Sequence, residues 1–282
     1  MNLAATSRMR KISLHIGISL IGIVMLYPVL WLLSSSLKPN ALIFTEPGLW
    51  PKEITFNNYI KGWFSVRNSN FGVFFWNSAK ISLISVLANV ITCSMAAYAF
   101  ARIDFSLKKL WFSLLLLTLM LPEQVTLIPK YILFHELGWI NSILPLIAPK
   151  FLAVESFFVF LMIQFIRGLP KELDESATID GCGYTGIYLR IILPLAVPAL
   201  ITTALFTFIW TWDDFFGPLL YLNSLQQFTV PLGLRLFLDS EGQSNWGGLF
   251  AMSALSLLPV VIVFFSSQKY FVEGIATTGI KG

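Results

Sequence analysis

Apolar residues fill six long runs of the chain, at about residues 12–37, 76–101, 109–129, 143–167, 195–222 and 246–268, and polar segments separate them. A helix rises about 1.5 Å per residue, so about 20 apolar residues cross a hydrocarbon core about 30 Å thick. The first run holds no Asp, Glu, Lys or Arg and is too long for a cleaved signal peptide, which predicts a retained anchor. The pattern predicts an all-α membrane protein with six transmembrane helices, folded as a single domain over residues 1–282.

The longest polar interruption, residues 168–194, carries the signals of a helix. Pro170 suits the first helical position, and the carboxylates of Glu172, Asp174 and Glu175 favour the positive end of a helix dipole. Gly181 predicts the end of this helix. A narrow apolar stripe and small residues at Ser176 and Ala177 indicate that another surface approaches the helix.

Two other polar segments predict little structure of their own. Residues 38–70 mix Pro, Asn, Trp and charged residues without a candidate span, and we expect an exposed loop. Residues 269–282 form a short Gly-rich tail, a composition that becomes ordered only against a partner. A frayed terminus is the alternative.

Composition supports the membrane assignment. Hydrophobic residues make up 56% of the chain and charged residues 12%, against roughly 25% charged residues in soluble domains. The net charge of +4 comes from Lys and Arg scattered through the loops, so no basic face predicts a nucleic-acid partner. Cys93 and Cys182 have no ligands at metal spacing, and neither do His15 and His135, so we expect no metal site.

The distribution of basic residues predicts the orientation. Segments 1–11, 102–109, 167–194 and 269–282 hold 11 Lys and Arg in 61 residues, whereas segments 38–70, 123–143 and 223–245 hold 6 in 77 residues. Loops rich in Lys and Arg stay in the cytoplasm. Both termini and the 168–194 segment are therefore predicted to be cytoplasmic.

The 168–194 segment also resembles a known motif. Glu175-Ser176-Ala177, Gly181, Ile191 and Leu193-Pro194 follow the pattern E-A-A-x3-G-x9-I-x-L-P of permease subunits of binding-protein-dependent ABC importers, with Ser176 as the one departure. In that family the loop is cytoplasmic and its helix docks into a cleft of the ATPase subunit. The resemblance implies a coupling role here for Asp174, Glu175, Ser176, Ala177, Asp180, Gly181, Ile191, Leu193 and Pro194.

Further landmarks resemble sugar-importer permeases of the maltose-permease type. They are Trp76-Asn77-Ser78, Ala96-Ala97-Tyr98-Ala99 with Arg102, Leu121-Pro122, Ile128-Pro129, Trp212-Asp213-Asp214-Phe215 with Pro218-Leu219, and the tail from Gln268 to Gly282. The resemblance implies the MetI-like permease fold, a bacterial inner-membrane location and uptake of a carbohydrate, in particular an oligosaccharide. It also implies four kinds of partner: a second permease subunit in a heterodimer, two ATPase subunits, an extracytoplasmic solute-binding protein and the lipid bilayer.

The chain carries no recognisable chemistry of its own. It has no G-x-x-x-x-G-K-[ST] loop to cradle phosphates and no G-x-S-x-G elbow, so an enzyme is not predicted. We expect no cofactor on this chain; ATP and Mg would be bound by the partner ATPase subunits.

Ionisable and aromatic residues near the spans are candidates for the substrate path. Asp213 and Asp214 can accept hydrogen bonds from sugar hydroxyls, and Trp210 and Trp212 can stack on sugar rings. The alternative is a structural cap at a helix break near Gly217-Pro218. Glu155 is a further path candidate, and Lys150 lies five residues before it, a spacing that does not favour an ion pair within one helix.

Two other functions stay open on the sequence. An ion-gradient-driven carrier or channel would use Glu155, Asp213 and Asp214 as coupling carboxylates, but it leaves the motif around Glu175 unexplained. An ABC importer for a non-sugar solute, such as a polyol or a glycerol phosphate, would share every landmark.

Overall fold

The structure is a computed structural model that describes residues 3–64, 70–238 and 244–278, and these ranges contain helices and turns but no β-strand. In chain order the α-helices are α1 (Leu3–Ser36), α2 (Asn57–Phe64), α3 (Phe71–Arg102), α4 (Lys108–Met120), α5 (Glu123–Glu136), α6 (Leu144–Ile147), α7 (Ser156–Arg167), α8 (Glu172–Ile179), α9 (Tyr184–Ile187), α10 (Leu193–Leu195), α11 (Val197–Trp212), α12 (Phe216–Tyr221), α13 (Val230–Arg235) and α14 (Trp246–Thr278). The all-α prediction is confirmed.

Within the described residues, four helices are long and apolar enough to cross a membrane: Arg10–Ser36, Phe71–Arg102, Leu144–Arg167 and Trp246–Lys269. The predicted third and fifth spans are each a bent pair, with 105° between Lys108–Met120 and Gln124–Glu136 and 75° between Tyr184–Leu195 and Val197–Trp212. Six spans result if each pair counts as one. The first bend has a clear cause: Leu121 is extended before Pro122, as the residue before a proline prefers.

The chain divides into two compact units, residues 1–71 with 234–256 and residues 72–233 with 257–282. In the first unit, α1 carries exposed apolar side chains over most of its length, and none of its most hydropathic stretch is buried. The prediction of an exposed loop is wrong for part of residues 38–64, because Lys38, Ile43 and Asn58 are buried there. The single-domain organisation stays a prediction.

The second unit has a continuous hydrophobic core that includes the 168–194 segment. Its buried side chains come from α3, α7, the segment itself and the start of α11, and α7 packs against α4 and α11. The buried members are Cys93, Ala97, Tyr98, Phe158, Val159, Met162, Ile163, Ile166, Ala177, Ile187, Ile192 and Ala199. The segment is thus part of the packed fold rather than a free loop.

Two local expectations differ from the structure. Lys150 and Glu155 do form an ion pair. A 3-10 turn at Ala148–Leu152 and a left-handed Ala153 (φ 52°) interrupt the predicted single helix, so α-helical spacing does not apply between the two side chains. At the chain end, α14 continues to Thr278, so residues 269–278 of the predicted tail are helical.

Candidate functional site

Helix α8 lies at the centre of the 168–194 segment, and its ends follow from local sequence. Its first turn holds Glu172, Asp174 and Glu175. At its other end the Gly181 N–H donates to the Thr178 carbonyl (3.0 Å) and the Cys182 N–H to the Ala177 carbonyl (2.9 Å). These two bonds make a Schellman cap, which needs a left-handed residue, and Gly181 has φ 83°. No atom outside its neighbours lies within 4 Å of a Cβ built at Gly181, so the backbone conformation explains this glycine.

One face of α8 is turned into the protein. Ala177 is only 6% exposed and lies in the hydrophobic core with Ile187 and Ile192, and Leu169 and Cys182 pack against the same core. The small side chain at Ala177 therefore fits this chain's own packing. It is not offered to a partner, contrary to the sequence-based interpretation.

The opposite face of α8 is exposed. Glu172, Glu175, Ser176 and Ile179 occur at helical spacing and form what we call the exposed stripe of α8, with Asp180 exposed just beyond it. Ile179 is 87% exposed, which is unusual for an isoleucine in a packed segment. An acidic stripe that ends in a bare apolar side chain is typical of a surface that binds a partner with a basic, partly apolar site.

Arg102, the last residue of α3, holds α8 from the inner side. Its Nε lies 2.8 Å from Asp174 Oδ2, and its Nη2 donates to the Leu169 carbonyl at 2.8 Å. The side chains of Arg102 and Asp174 are 5% and 19% exposed. Asp174, predicted as a coupling residue, is therefore engaged within this chain.

Two more residues of α3 contact the helix that follows α8. The Tyr98 hydroxyl donates to the Tyr184 carbonyl at 3.1 Å. The Ser94 and Tyr188 hydroxyls are hydrogen-bonded at 2.8 Å, and the rings of Tyr98 and Tyr188 lie 5.3 Å apart. The sequence showed Ala96–Ala99 and Arg102 only as landmarks. The four-residue spacing of Ser94, Tyr98 and Arg102 was the available signal that one face of α3 has a shared task.

The last motif residues lie next to a π-helical turn, Tyr188–Ile192, that links α9 to α10. The Leu193 N–H donates to the Tyr188 carbonyl, five residues back. Ile191 packs on the hydrophobic core, Leu193 is half-buried and Pro194 is exposed. π-Turns within helices often occur at functional sites, and this one widens the helix just before its bend at residue 196.

The candidate path residues fall into separate environments. Trp212 is 3% exposed, stacks on Phe208 and meets Phe75 edge-on, so it is a core residue. Trp210 is half exposed and packs against Phe157 and Phe158, which closely follow Glu155.

The two neighbouring aspartates also differ from each other. Asp214 Oδ1 accepts a hydrogen bond from the Gly217 N–H, in the first turn of α12, at 3.0 Å. Asp213 ends α11, where its N–H donates to the Ile209 carbonyl, and it is exposed. Trp210 and Asp213 are thus the more accessible pair among the path candidates.

Comparison with known proteins gives a family for most of the chain and relatives that match nearly all of it. Residues 55–277 match the family described as binding-protein-dependent transport system inner membrane component. The arabinooligosaccharides transport system permease protein AraQ of Halalkalibacterium halodurans is 34% identical over 95% of this chain and 96% of its own length. The trehalose/maltose transport system permease protein MalG of Thermococcus litoralis is 33% identical over 97% of this chain and 98% of its own.

A solved structure has the same fold. It is a chain in the crystal structure of a bacterial ABC transporter involved in the import of the acidic polysaccharide alginate. The TM-score is 0.82 at 21% sequence identity, and the match covers 96% of this chain and 99% of the other. The bent spans and the α8 loop thus belong to a known helical architecture.

Proposed function

The chain belongs to the family of binding-protein-dependent transport system inner membrane components, and from this premise we propose that it forms, with a second permease subunit, the path of an ATP-driven carbohydrate importer. It is a multi-pass transport subunit. The observation that carries the proposal is the α8 loop, in which Arg102 holds one face of a short helix while the opposite face stays bare.

The exposed stripe of α8 is the proposed docking surface for an ATPase subunit. Glu175 is placed to pair with a basic residue of that subunit, and Ile179 to fill an apolar pocket. ATP and Mg would be held by two ATPase subunits, one under each permease. Closure of those subunits on ATP would displace α8, and the spans would then rock between states open to either side of the membrane.

The proposed substrate is an oligosaccharide delivered by an extracytoplasmic binding protein. Similarity to permeases named for arabinooligosaccharides and for trehalose/maltose supports this class. Trp210 and Asp213 offer an aromatic face and a carboxylate for sugar hydroxyls. A panel of arabinotriose, maltotriose, trehalose, sorbitol and glycerol phosphate tests the class by uptake into cells that express the whole transporter. Uptake of sorbitol or glycerol phosphate alone would refute a carbohydrate substrate.

The proposed orientation in the bacterial inner membrane places both termini and the α8 loop in the cytoplasm, as the Lys and Arg distribution favours. A reporter that folds only in the cytoplasm should be active when it is fused after Lys281. A reporter that is active only after export should be active when it is fused at Gly242. Both positions lie outside the described residues, and the opposite pattern would reverse the orientation.

Charge reversal on the exposed stripe tests the docking surface. Glu175→Lys should weaken ATPase binding about tenfold, because it places a cation against the basic partner. The measurement is the amount of ATPase subunit that co-purifies with the chain from membranes at rising salt. Asp104→Lys reverses a fully exposed carboxylate in the neighbouring connection and serves as the matched control. Normal ATPase binding to the Glu175→Lys variant would rule out this surface.

A further inference from the structure

Arg102 contacts both ends of the connection that leads into α8. Its guanidinium meets the carbonyl of Leu169, just before the helix, and the carboxylate of Asp174, in the first turn. The two contacts use different nitrogens of the guanidinium, Nη2 for the Leu169 carbonyl and Nε for the charge of Asp174, whereas a lysine has only one nitrogen. Because the arginine side chain is 5% exposed, water has little access to compete for these contacts. The start of α8 is thereby fixed to the end of α3.

The contact is the last of three along one face of α3. Ser94, Tyr98 and Arg102 lie four residues apart, so their side chains share a face of the helix. They bond to Tyr188, to Tyr184 and to the Leu169–Asp174 region. The helix α3 therefore holds the 168–194 segment at three points, before and after α8.

The covalent route from α8 to α11 is less direct. It passes through the Schellman turn at Gly181, the π-turn at Tyr188–Ile192 and a 75° bend at residue 196. Each of these elements departs from regular α-helical geometry, so α8 and α11 are not parts of one straight helix. A displacement of α8 that relied on this route would be absorbed in part before it reached α11. The contacts with α3 bypass all three elements.

We infer that Arg102 is a positioning residue that fixes α8 to α3, so that a displacement imposed on the exposed stripe moves α3 with it. This inference rests on the proposed function, since it assumes that an ATPase subunit moves α8. It assigns to α3 the transmission of that movement into the membrane. The buried ion pair thus serves coupling between ATP hydrolysis and transport in addition to packing.

The test uses the whole transporter in lipid vesicles: this chain with its partner permease, the ATPase subunits and the binding protein. ATP hydrolysis is measured with the binding protein in the presence and absence of a mixture of arabinotriose and maltotriose, and bound ATPase is quantified in the same samples. Arg102→Met should lower the stimulation by sugar about fivefold or more while ATPase subunits stay bound. Arg102→Lys should lie between Met and wild type, because lysine keeps one of the two contacts. A purely structural role would instead lower the amount of assembled complex and leave stimulation per complex unchanged.

Two further variants keep the inference falsifiable. Asp104→Asn removes an exposed ion pair with Lys108 in the next connection and should behave as wild type. If Arg102→Met fails to accumulate in the membrane, Asp174→Asn decides, since it keeps the side-chain volume and the Leu169 contact. Wild-type stimulation in Asp174→Asn, or loss of ATPase binding in it, would overturn the inference. A wild-type chain that purifies without ATPase subunits would refute the proposed function itself, and that result is obtained before any variant is made.

Discussion

Two polar segments of the chain contain charged side chains in opposite surroundings. In residues 168–194 the carboxylates of Glu172 and Glu175 face solvent. In residues 38–64, Lys38 is 2% exposed and its amine donates to the carbonyls of Glu46 (2.7 Å) and Gly48 (2.5 Å). Both segments interrupt apolar runs and both look hydrophilic. Polarity therefore indicates where the chain leaves the lipid, but it does not indicate whether the polar atoms bind a partner or stabilise the fold.

The 38–64 segment is held by side chains that bind backbone. Asn58 Nδ2 donates to the carbonyls of Ser36 (2.8 Å) and Lys38 (2.7 Å), and Asn40 Oδ1 accepts from the Gly247 N–H at 3.0 Å. Buried polar groups of this kind are costly to leave unpaired. The segment therefore depends on these few bonds for its shape, whereas the exposed stripe of α8 does not depend on its own charges.

The largest expected effect follows the removal of the buried amine. Lys38→Met keeps the length of the side chain but leaves two carbonyls without a donor, so the free energy of unfolding should fall by about 3 kcal/mol. Denaturant titration in mixed micelles measures it. The control is Lys52→Met, since Lys52 is 78% exposed beside Glu46 and should cost less than about 1 kcal/mol. Equal losses in the two variants would show that burial of Lys38 contributes nothing.

A smaller loss should follow crowding of the same network. A Cβ at Gly247 would lie 2.5 Å from Asn58 Oδ1, and Asn58 is fixed by two hydrogen bonds. Gly247→Ala should therefore cost about 2 kcal/mol as overpacking. Gly22→Ala, where nothing lies within 4 Å, should cause no loss in the same micelle titration. A neutral Gly247→Ala would mean that the Asn58 side chain moves freely.

In the 168–194 segment the expected loss is smaller and comes from the backbone. Gly181→Val forces a β-branched residue to adopt φ 83° and should cost about 1–2 kcal/mol, whereas Gly181→Asn tolerates this conformation and should cost less. The free energy of unfolding and the retention of ATPase subunits are both measured. If the Gly181→Val and Gly181→Asn variants were equally stable, the left-handed conformation of the Schellman cap would not explain why residue 181 is a glycine.

The smallest effect should come from a charge on the exposed stripe. Glu172→Gln removes a carboxylate near the start of α8, where its interaction with the helix dipole is worth about 0.5 kcal/mol at low salt. The loss should vanish at high ionic strength, because exposed charges are screened. If Glu172→Gln lowered the free energy of unfolding as much as Lys38→Met, the two segments would not differ in how much their stability depends on charged side chains.

Features set by neighbouring residues could be predicted from the sequence, and features set by distant ones could not. The acidic first turn and Gly181 predicted the ends of α8 to within about two residues, and the apolar runs predicted the long helices. The ion pair of Arg102 with Asp174 joins residues 72 positions apart, and no local pattern indicates it. The burial of Lys38 was missed for the same reason. Its acceptors are backbone carbonyls, which every residue has, so no residue type in the sequence indicates them. The Lys150–Glu155 pair was misjudged because a 3-10 turn replaced the assumed helix.

The bare apolar surface of α1 has a consequence for the order of synthesis. The most hydropathic stretch of 18 residues in this helix has a mean hydropathy of 2.3, and none of it is buried. Entry into the bilayer thus requires no residue that the ribosome has yet to add, so α1 is competent for insertion while α3 and α7 are still untranslated. The α1 helix can act as the membrane tether of the nascent chain, and later spans are synthesised when it is already in the bilayer.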